Sequence, residues 1–318
     1  MSSLPVLPSS NACSSNVPPG RRLPPWLKRP LPTAGMSFTR RVVGASHVAT
    51  VCEEARCPNL TECWSHGTAT FMILGDRCTR RCKFCAVQTA RPEPPAADEP
   101  DRLAEAVAEL GLRHVVITAV ARDDLADEGA GQFAACVRAV RARMPEATIE
   151  VLPADFHARR ECIATLCDAG PDVYNHNIET VERLSPTVRP QARYRRSLDV
   201  LRIAKELRPD IPTKSGLMVG IGETPDEIRR TLADLREVDC DVVTIGQYLA
   251  PSSSHAPVVR FYTPEEFEAL ADEARSLGFA GVASGPFVRS SYNAGDVYDR
   301  YRRLRASTQA PPHASDAV

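Results

Sequence analysis

The chain has 318 residues, with 39 Lys plus Arg against 40 Asp plus Glu and a formal net charge of -1, a balance that argues against a protein held to nucleic acid by phosphate contacts. At 43% hydrophobic and 25% charged residues the composition is that of a globular protein with length for one large domain or two small ones, and no run approaches the roughly 18 apolar residues of a membrane span. Eleven cysteines, six of them between Cys52 and Cys85, in a chain without a secretory start, point to metal binding rather than a disulfide scaffold.

Residues 1–51 contain no Asp or Glu and carry Arg21, Arg22, Lys28, Arg29, Arg40 and Arg41, and eight of the 27 prolines fall within residues 1–32. The first twenty residues are expected to be disordered. The segment reads as a flexible extension of a cytoplasmic protein; the alternative is a transit peptide and an organellar matrix. From about residue 70 to 285 the pattern alternates. Apolar runs predict strands at Phe71–Leu74, Val115–Ala119, Ile149–Leu152, Val173–Asn175, Leu217–Val219, Val242–Ile245 and Gly281–Ala283. Helical periods fall between them, near 101–110, 131–143, 159–168, 195–207, 225–237 and 264–277. Thr224-Pro225-Asp226-Glu227 and Thr263-Pro264-Glu265-Glu266 place Thr at the N-cap, Pro at the first helical position and Glu at the third. Gly278 stands where the last of these helices should stop. Such βα units imply a parallel sheet; the period leaves closed barrel and open sheet equally open. The tail from about Arg302 is expected to be disordered.

The first predicted strand runs into Cys78, Cys82 and Cys85, spaced C-x3-C-x2-C. A loop after a strand of a βα fold opens on the ligand-binding end of the sheet. Three close thiolates suit three irons of a [4Fe–4S] cluster and leave the fourth iron free. A structural zinc site wants four closed ligands, and buried cysteines without a shared task are the third reading. Arg77, Arg80, Arg81 and Lys83 are expected to set positive charge around an anionic cluster. Upstream, Cys52, Cys57 and Cys63 are spaced C-x4-C-x5-C, with His66 at hand to complete a zinc site; from the residues alone zinc and iron–sulfur stay equally open here.

Other features are weighed against plainer readings. Gly220-Ile221-Gly222 is no dinucleotide fingerprint, because the third glycine position holds Pro225. Asp123-Asp124 is expected to order its loop rather than move protons. Asn175, His176, Asn177 and Glu179 crowd one strand end, which favours a ligand site. Lys214 is a solvated base, neutralises a carboxylate or supports the cluster. Ser290 and Ser291 alone read as turn residues. Cys136, Cys162, Cys167 and Cys240 read as core, and Cys13 as part of the disordered start.

The spacing C-x3-C-x2-C, with Phe84 just before the last cysteine, resembles the radical S-adenosylmethionine superfamily. The stretch from Cys52 through Trp64 to Cys85 is similar to the lipoyl synthase family within it. The similarity continues in order through Val115–Leu125, Tyr174–Thr180, Pro212–Thr224, Thr244–Leu249 and Ala283–Tyr292, covering about residues 24 to 295. It departs at Glu128-Gly129, where the family usually shows two glycines.

The resemblance implies an α/β fold, a partial (β/α)6 barrel of the radical S-adenosylmethionine type. It divides the chain into a basic extension (1–51), an auxiliary cluster segment (52–69), the barrel with its C-terminal loop (70–295) and a tail (296–318). It implies two [4Fe–4S] clusters. One lies on Cys78, Cys82 and Cys85 and binds S-adenosylmethionine; the other lies on Cys52, Cys57, Cys63 and a serine of the Arg-Ser-Ser-Tyr motif, Ser291, with Ser290 as the fallback. Phe84, Asn175, Glu179, Lys214, Gly220 and Gly222 are the expected contacts to S-adenosylmethionine. The activity implied is radical insertion of two sulfurs, at C6 and C8, into an octanoyl group on a protein lysine, with the auxiliary cluster as donor. Implied partners are an octanoylated lipoyl carrier protein or 2-oxoacid dehydrogenase acyltransferase domain, an electron donor such as ferredoxin or flavodoxin, and an iron–sulfur carrier. Neither nucleic acid nor membrane is expected. The acid-free segment 1–51 is expected to steer an acidic carrier domain. The alternatives are another radical sulfur-insertion or methylthiolation enzyme, and a structural zinc protein.

Overall fold

The computed structural model describes residues 23–28 and 35–309, with side chains to Arg305. The expectations for residues 1–20, Cys13, Arg21, Arg22 and Arg29 lie outside the described residues.

Seven parallel strands follow one another in chain order and in space: β1 (Thr70–Ile73), β2 (His114–Ala119), β3 (Thr148–Leu152), β4 (Val173–Asn175), β5 (Thr213–Val219), β6 (Val242–Gln247) and β7 (Gly281–Gly285). A two-residue strand, Ala49–Thr50, runs antiparallel along the outer edge of β1. Among the described residues β7 and β1 do not pair, so six βα units and a last strand make a partial barrel. Strands covered on both faces read as continuous apolar runs; β1 and β6 are buried along their whole length.

The helices of eight or more residues are α1 (Met36–Ser46), α2 (Glu99–Leu110), α3 (Ala130–Arg143), α4 (Arg160–Cys167), α5 (Tyr194–Leu207), α6 (Pro225–Glu237), α7 (Pro264–Ser276) and α8 (Ala294–Gln309), with short helical turns at Val51–Glu54, Leu60–Ser65 and Ser185–Val188. Both Thr-Pro-x-Glu starts form complete capping boxes, Thr224 with Glu227 and Thr263 with Glu266. Gly278 turns left-handed at φ +89° just past the end of α7, a conformation glycine adopts without a steric penalty. Phe71, Ile73, Ile117 and Val151 pack against Leu103 and Phe133 of the first helices, while Leu217 and Val243 pack against Leu232 and Phe267 further round.

Two boundaries differ from expectation. Strand β5 begins at Thr213, four residues before its apolar run, because Lys214 and Ser215 are buried polar residues. The tail expected to be disordered from about Arg302 is helical to Gln309. Its arginines hide an apolar spacing: Tyr298 lies 5.9 Å from the His114 ring and 6.4 Å from Tyr301, which is itself buried.

Candidate active site

At the C-terminal ends of the strands lies a cavity of about 510 Å³. Cys78, Cys82 and Cys85 reach it from the loop after β1, and Cys57 from the segment before β1. Asp155, His176, Asn177 and Glu179 reach it from the loops after β3 and β4, and Ser290 and Ser291 from the loop after β7. Its remaining wall is largely apolar, including Met72, Val120, Leu152 and Leu249.

The three-cysteine loop is held from three sides. Arg80, buried, binds Asp123 through both nitrogens of its fork, at 2.9 and 2.6 Å, and Asp155 at 2.8 Å. Arg196 bonds the other Asp155 oxygen at 2.8 Å. The Arg80 backbone N–H points at Cys78 Sγ, 3.4 Å away. Loops after β1, β2 and β3 thus converge on one guanidinium. The Ala256 N–H donates to the Lys83 carbonyl at 2.8 Å, and the His255 ring lies 3.1 Å from the Cys85 carbonyl. The expected positive field is smaller than the sequence implies: Arg80 is neutralised by two carboxylates and Arg77 pairs with Glu93 at 3.0 Å. Asp123 orders its loop, and Asp124 does the same through Arg122 at 2.9 Å.

The auxiliary segment meets the C-terminal loop across more than 200 residues of sequence. Asn59 Nδ2 donates to the Phe287 carbonyl at 2.7 Å, and the Tyr292 hydroxyl to Glu62 at 2.8 Å. Cys57 and Ser291 both line the cavity. Cys52 is buried and Cys63 half-buried, and neither lines it. A side chain on Gly246 would collide with the Val288 carbonyl, so this bare position in β6 lets the loop lie close against the barrel.

Several expected contacts sit elsewhere. Lys214 and Asn175 do not face the cavity. Lys214 Nζ lies 2.8 and 3.0 Å from the two oxygens of Glu150, and Asn175 Nδ2 donates to the same carboxylate at 2.8 Å. All three are buried inside the barrel, with His114 3.3 Å from Glu150. Burial acts to raise the Glu150 carboxyl; Lys214 and His114 outweigh it and bring its pKa down to about 2. Gly220 and Gly222 are also off the cavity wall, and their N–H groups are taken by the Glu223 carboxylate at 2.5 and 3.0 Å. Phe84 and Glu179 do line the cavity. His176 is buried with one ring nitrogen 3.2 Å from the Pro153 carbonyl and the other 3.1 Å from the Ser197 hydroxyl, which leaves it no role as a metal ligand. Burial and then Arg189 push its pKa down to about 4.

The sequence reading missed Arg189 and Asp155. Arg189 lines the cavity with its Nε buried and unpartnered, and Asn177 Oδ1 is in the same state. A donor and an acceptor left open in one cavity suit a zwitterionic ligand such as an amino acid group. Arg189 and Asp155 are polar positions without a period or motif to mark them.

The cysteines fit iron–sulfur better than zinc. A single zinc ion at about 2.3 Å from tetrahedral sulfurs draws them to within about 3.8 Å of each other. Among the described residues, only Asp123, Glu128 and His157 bring three such donor atoms within 4.8 Å of one another; neither cysteine trio does. A cubane, with its irons at separate corners, takes more widely spaced thiolates. Burial raises the thiol pKa of Cys82 to about 11, of Cys85 to about 12 and of Cys52 to about 11, so iron binding at neutral pH must displace their protons.

Residues 72–235 match the Radical SAM superfamily. The chain is similar to the lipoyl synthase of Rubrobacter xylanophilus, 54% identical over 281 residues that cover 88% of each chain. It is similar as well to the lipoyl synthase of Halalkalibacterium halodurans, 55% identical over 276 residues, 86% of this chain and 91% of that one. Its fold is like that of methylornithine synthase, with a TM-score of 0.52 at 16% identity over 76% of this chain and 82% of that one.

Proposed function

The chain belongs to the lipoyl synthase family of the radical S-adenosylmethionine superfamily, and from that premise we propose how its residues divide the work. Its reaction is radical insertion of two sulfurs, at C6 and C8, into an octanoyl group carried on a protein lysine. Cys78, Cys82 and Cys85 hold one [4Fe–4S] cluster; Cys52, Cys57, Cys63 and Ser291 hold a second. When bound, the first supplies the electron that cleaves S-adenosylmethionine and the second supplies the sulfur.

The chain's own part is placement. Arg80, between Asp123 and Asp155, fixes the three-cysteine loop. Phe84, Asn177, Glu179 and Arg189 hold S-adenosylmethionine, Arg189 toward its carboxylate. Met72, Val120, Leu152 and Leu249 give the acyl chain an apolar wall and keep water from the reacting carbons. Ser291 is the fourth ligand of the second cluster rather than Ser290, whose hydroxyl already accepts from Asn177 at 3.0 Å. An octanoylated carrier domain, a ferredoxin- or flavodoxin-type donor and an iron–sulfur carrier complete the cycle.

The observation that carries this reading is the pair of bonds, Asn59 to Phe287 and Tyr292 to Glu62, that brings the Ser290-Ser291 loop onto the Cys57 segment facing Cys78, Cys82 and Cys85. The test is anaerobic reaction of cluster-loaded protein with S-adenosylmethionine, a one-electron reductant and an octanoyl-lysine peptide, read by mass spectrometry. The wild type is expected to add two sulfurs, at about one product per chain because the donor is consumed. Cys57→Ala is expected to release 5′-deoxyadenosine without adding sulfur. 5′-Deoxyadenosine without any sulfur in the wild type would keep the superfamily chemistry and reject this substrate.

A further inference from the structure

Asn177 lines the cavity and links two of the loops around it. Its amide nitrogen donates to Glu179 Oε1 at 3.0 Å and to the Ser290 hydroxyl at 3.0 Å. A side-chain amide nitrogen has two N–H groups, so both are used. Glu179 belongs to the rigid side. Its N–H donates to the Gly216 carbonyl at 2.8 Å, and its carbonyl accepts from Met218 at 2.9 Å, which stitches it to β5. It is held there at φ +64°, a left-handed backbone that a non-glycine residue adopts only when its surroundings impose it. Ser290 belongs to the C-terminal loop, 113 residues further on. The bare backbone of Gly216 makes room for the link, since a Cβ there would lie 2.7 Å from Asn177 Oδ1.

We propose, resting on the division of residues given above, that Asn177 and Ser290 form a tie that sets the sulfur-donor loop in register with the radical-generating side. The two neighbouring serines then have separate tasks: Ser291 binds iron and Ser290 positions the loop. Asn177 acts here as a positioning residue.

The physical need is geometric. A carbon radical and its sulfur source must sit at near-attack distance, and a displacement of about 1 Å costs up to about 100-fold in rate. The three-cysteine loop has anchors of its own in Arg80, Asp123 and Asp155 and in the Lys83–Ala256 bond. Cutting the tie therefore leaves S-adenosylmethionine cleavage running while sulfur transfer falls behind. The signature is uncoupling rather than general loss.

The experiment uses the full chain in four forms: wild type, Ser290→Ala, Ser290→Thr and Ser291→Ala. Iron and sulfide per chain, 5′-deoxyadenosine and sulfur-containing peptide are measured on each. Ser290→Ala is expected to keep the wild-type iron content and to lower the ratio of product to 5′-deoxyadenosine roughly fivefold, the worth of one buried hydrogen bond. Ser290→Thr, which keeps the accepting oxygen, restores the ratio. Ser291→Ala loses iron instead.

Amide hydrogen exchange over residues 287–292, on the chain before cluster assembly, is expected to quicken in Ser290→Ala and to stay unchanged in Ser291→Ala. That measurement needs no turnover, so it separates failure of the tie from failure of the reaction assigned above. Iron loss in Ser290→Ala, an unchanged coupling ratio, or equal exchange in the two serine variants would each overturn the tie.

Discussion

Lys214 and Glu150 are the most consequential pair of residues outside the cavity. Both are buried, and each satisfies the other's charge at 2.8 Å inside the barrel. Breaking such a pair strands one charge in a medium that cannot solvate it. Lys214→Met is expected to cost about 3–5 kcal/mol of stability, read as a drop in the urea midpoint. Adding Glu150→Gln removes the stranded charge and should recover part of that loss. A double variant less stable than Lys214→Met would reject this account. Lys214 was open to several readings, a solvated base, a neutraliser of a carboxylate, a support for the cluster or a contact to S-adenosylmethionine, and its bond to Glu150 selects the second. Its partner lies 64 residues away, and no local pattern announces it. Asn175, expected at a ligand, serves the same buried carboxylate.

Elements were more legible than their contacts. The two capping boxes are local chemistry and appear as read. Thr224→Ala is expected to lower stability by about 1 kcal/mol, seen as a lower urea midpoint at unchanged slope. β5 starts early because buried polar residues break an apolar run without breaking a strand, and α8 is masked by arginines that outnumber its two tyrosines, of which Tyr301 is buried. The C-terminal loop is decided by close approach. Gly246→Ala should push Val288 and the serines after it away from the barrel. Sulfur insertion is then expected to fall more than about tenfold while 5′-deoxyadenosine release and the far-ultraviolet dichroism persist. Equal loss of both products would mean that the whole sheet end, not the loop, had moved.

At the scale of the molecule, the fold gathers groups whose charge states differ from those in an unfolded chain. Glu150 has a pKa lowered from 4.5 to about 2, so its contribution is present above pH 4.5 and is lost as pH falls toward 2. His176 has a pKa lowered from 6.5 to about 4. Between those values the unfolded chain binds a proton that the native one refuses, so stability falls as pH drops from 6.5 to 4. Both groups act in one direction. Urea unfolding of the cluster-free protein should show a midpoint that declines steadily from pH 7 to pH 4. A midpoint rising over that range would mean that neither group is held as described.

The parallel βα order, the capped helices and the two cysteine trios are written in the chain itself, because each depends on neighbours within a few residues: side-chain period, turn chemistry and ligand spacing. The resemblance added the family, and with it the reaction. What the tertiary structure alone decided is which side chains share the cavity. It brought the loop after the last strand onto the segment before the first, placed Arg189 and Asp155 at the site and moved Asn175, Lys214, Gly220 and Gly222 away from it. It also gave Ser290 to Asn177. Those outcomes rest on contacts between residues far apart in sequence, where packing and buried charge set the partner.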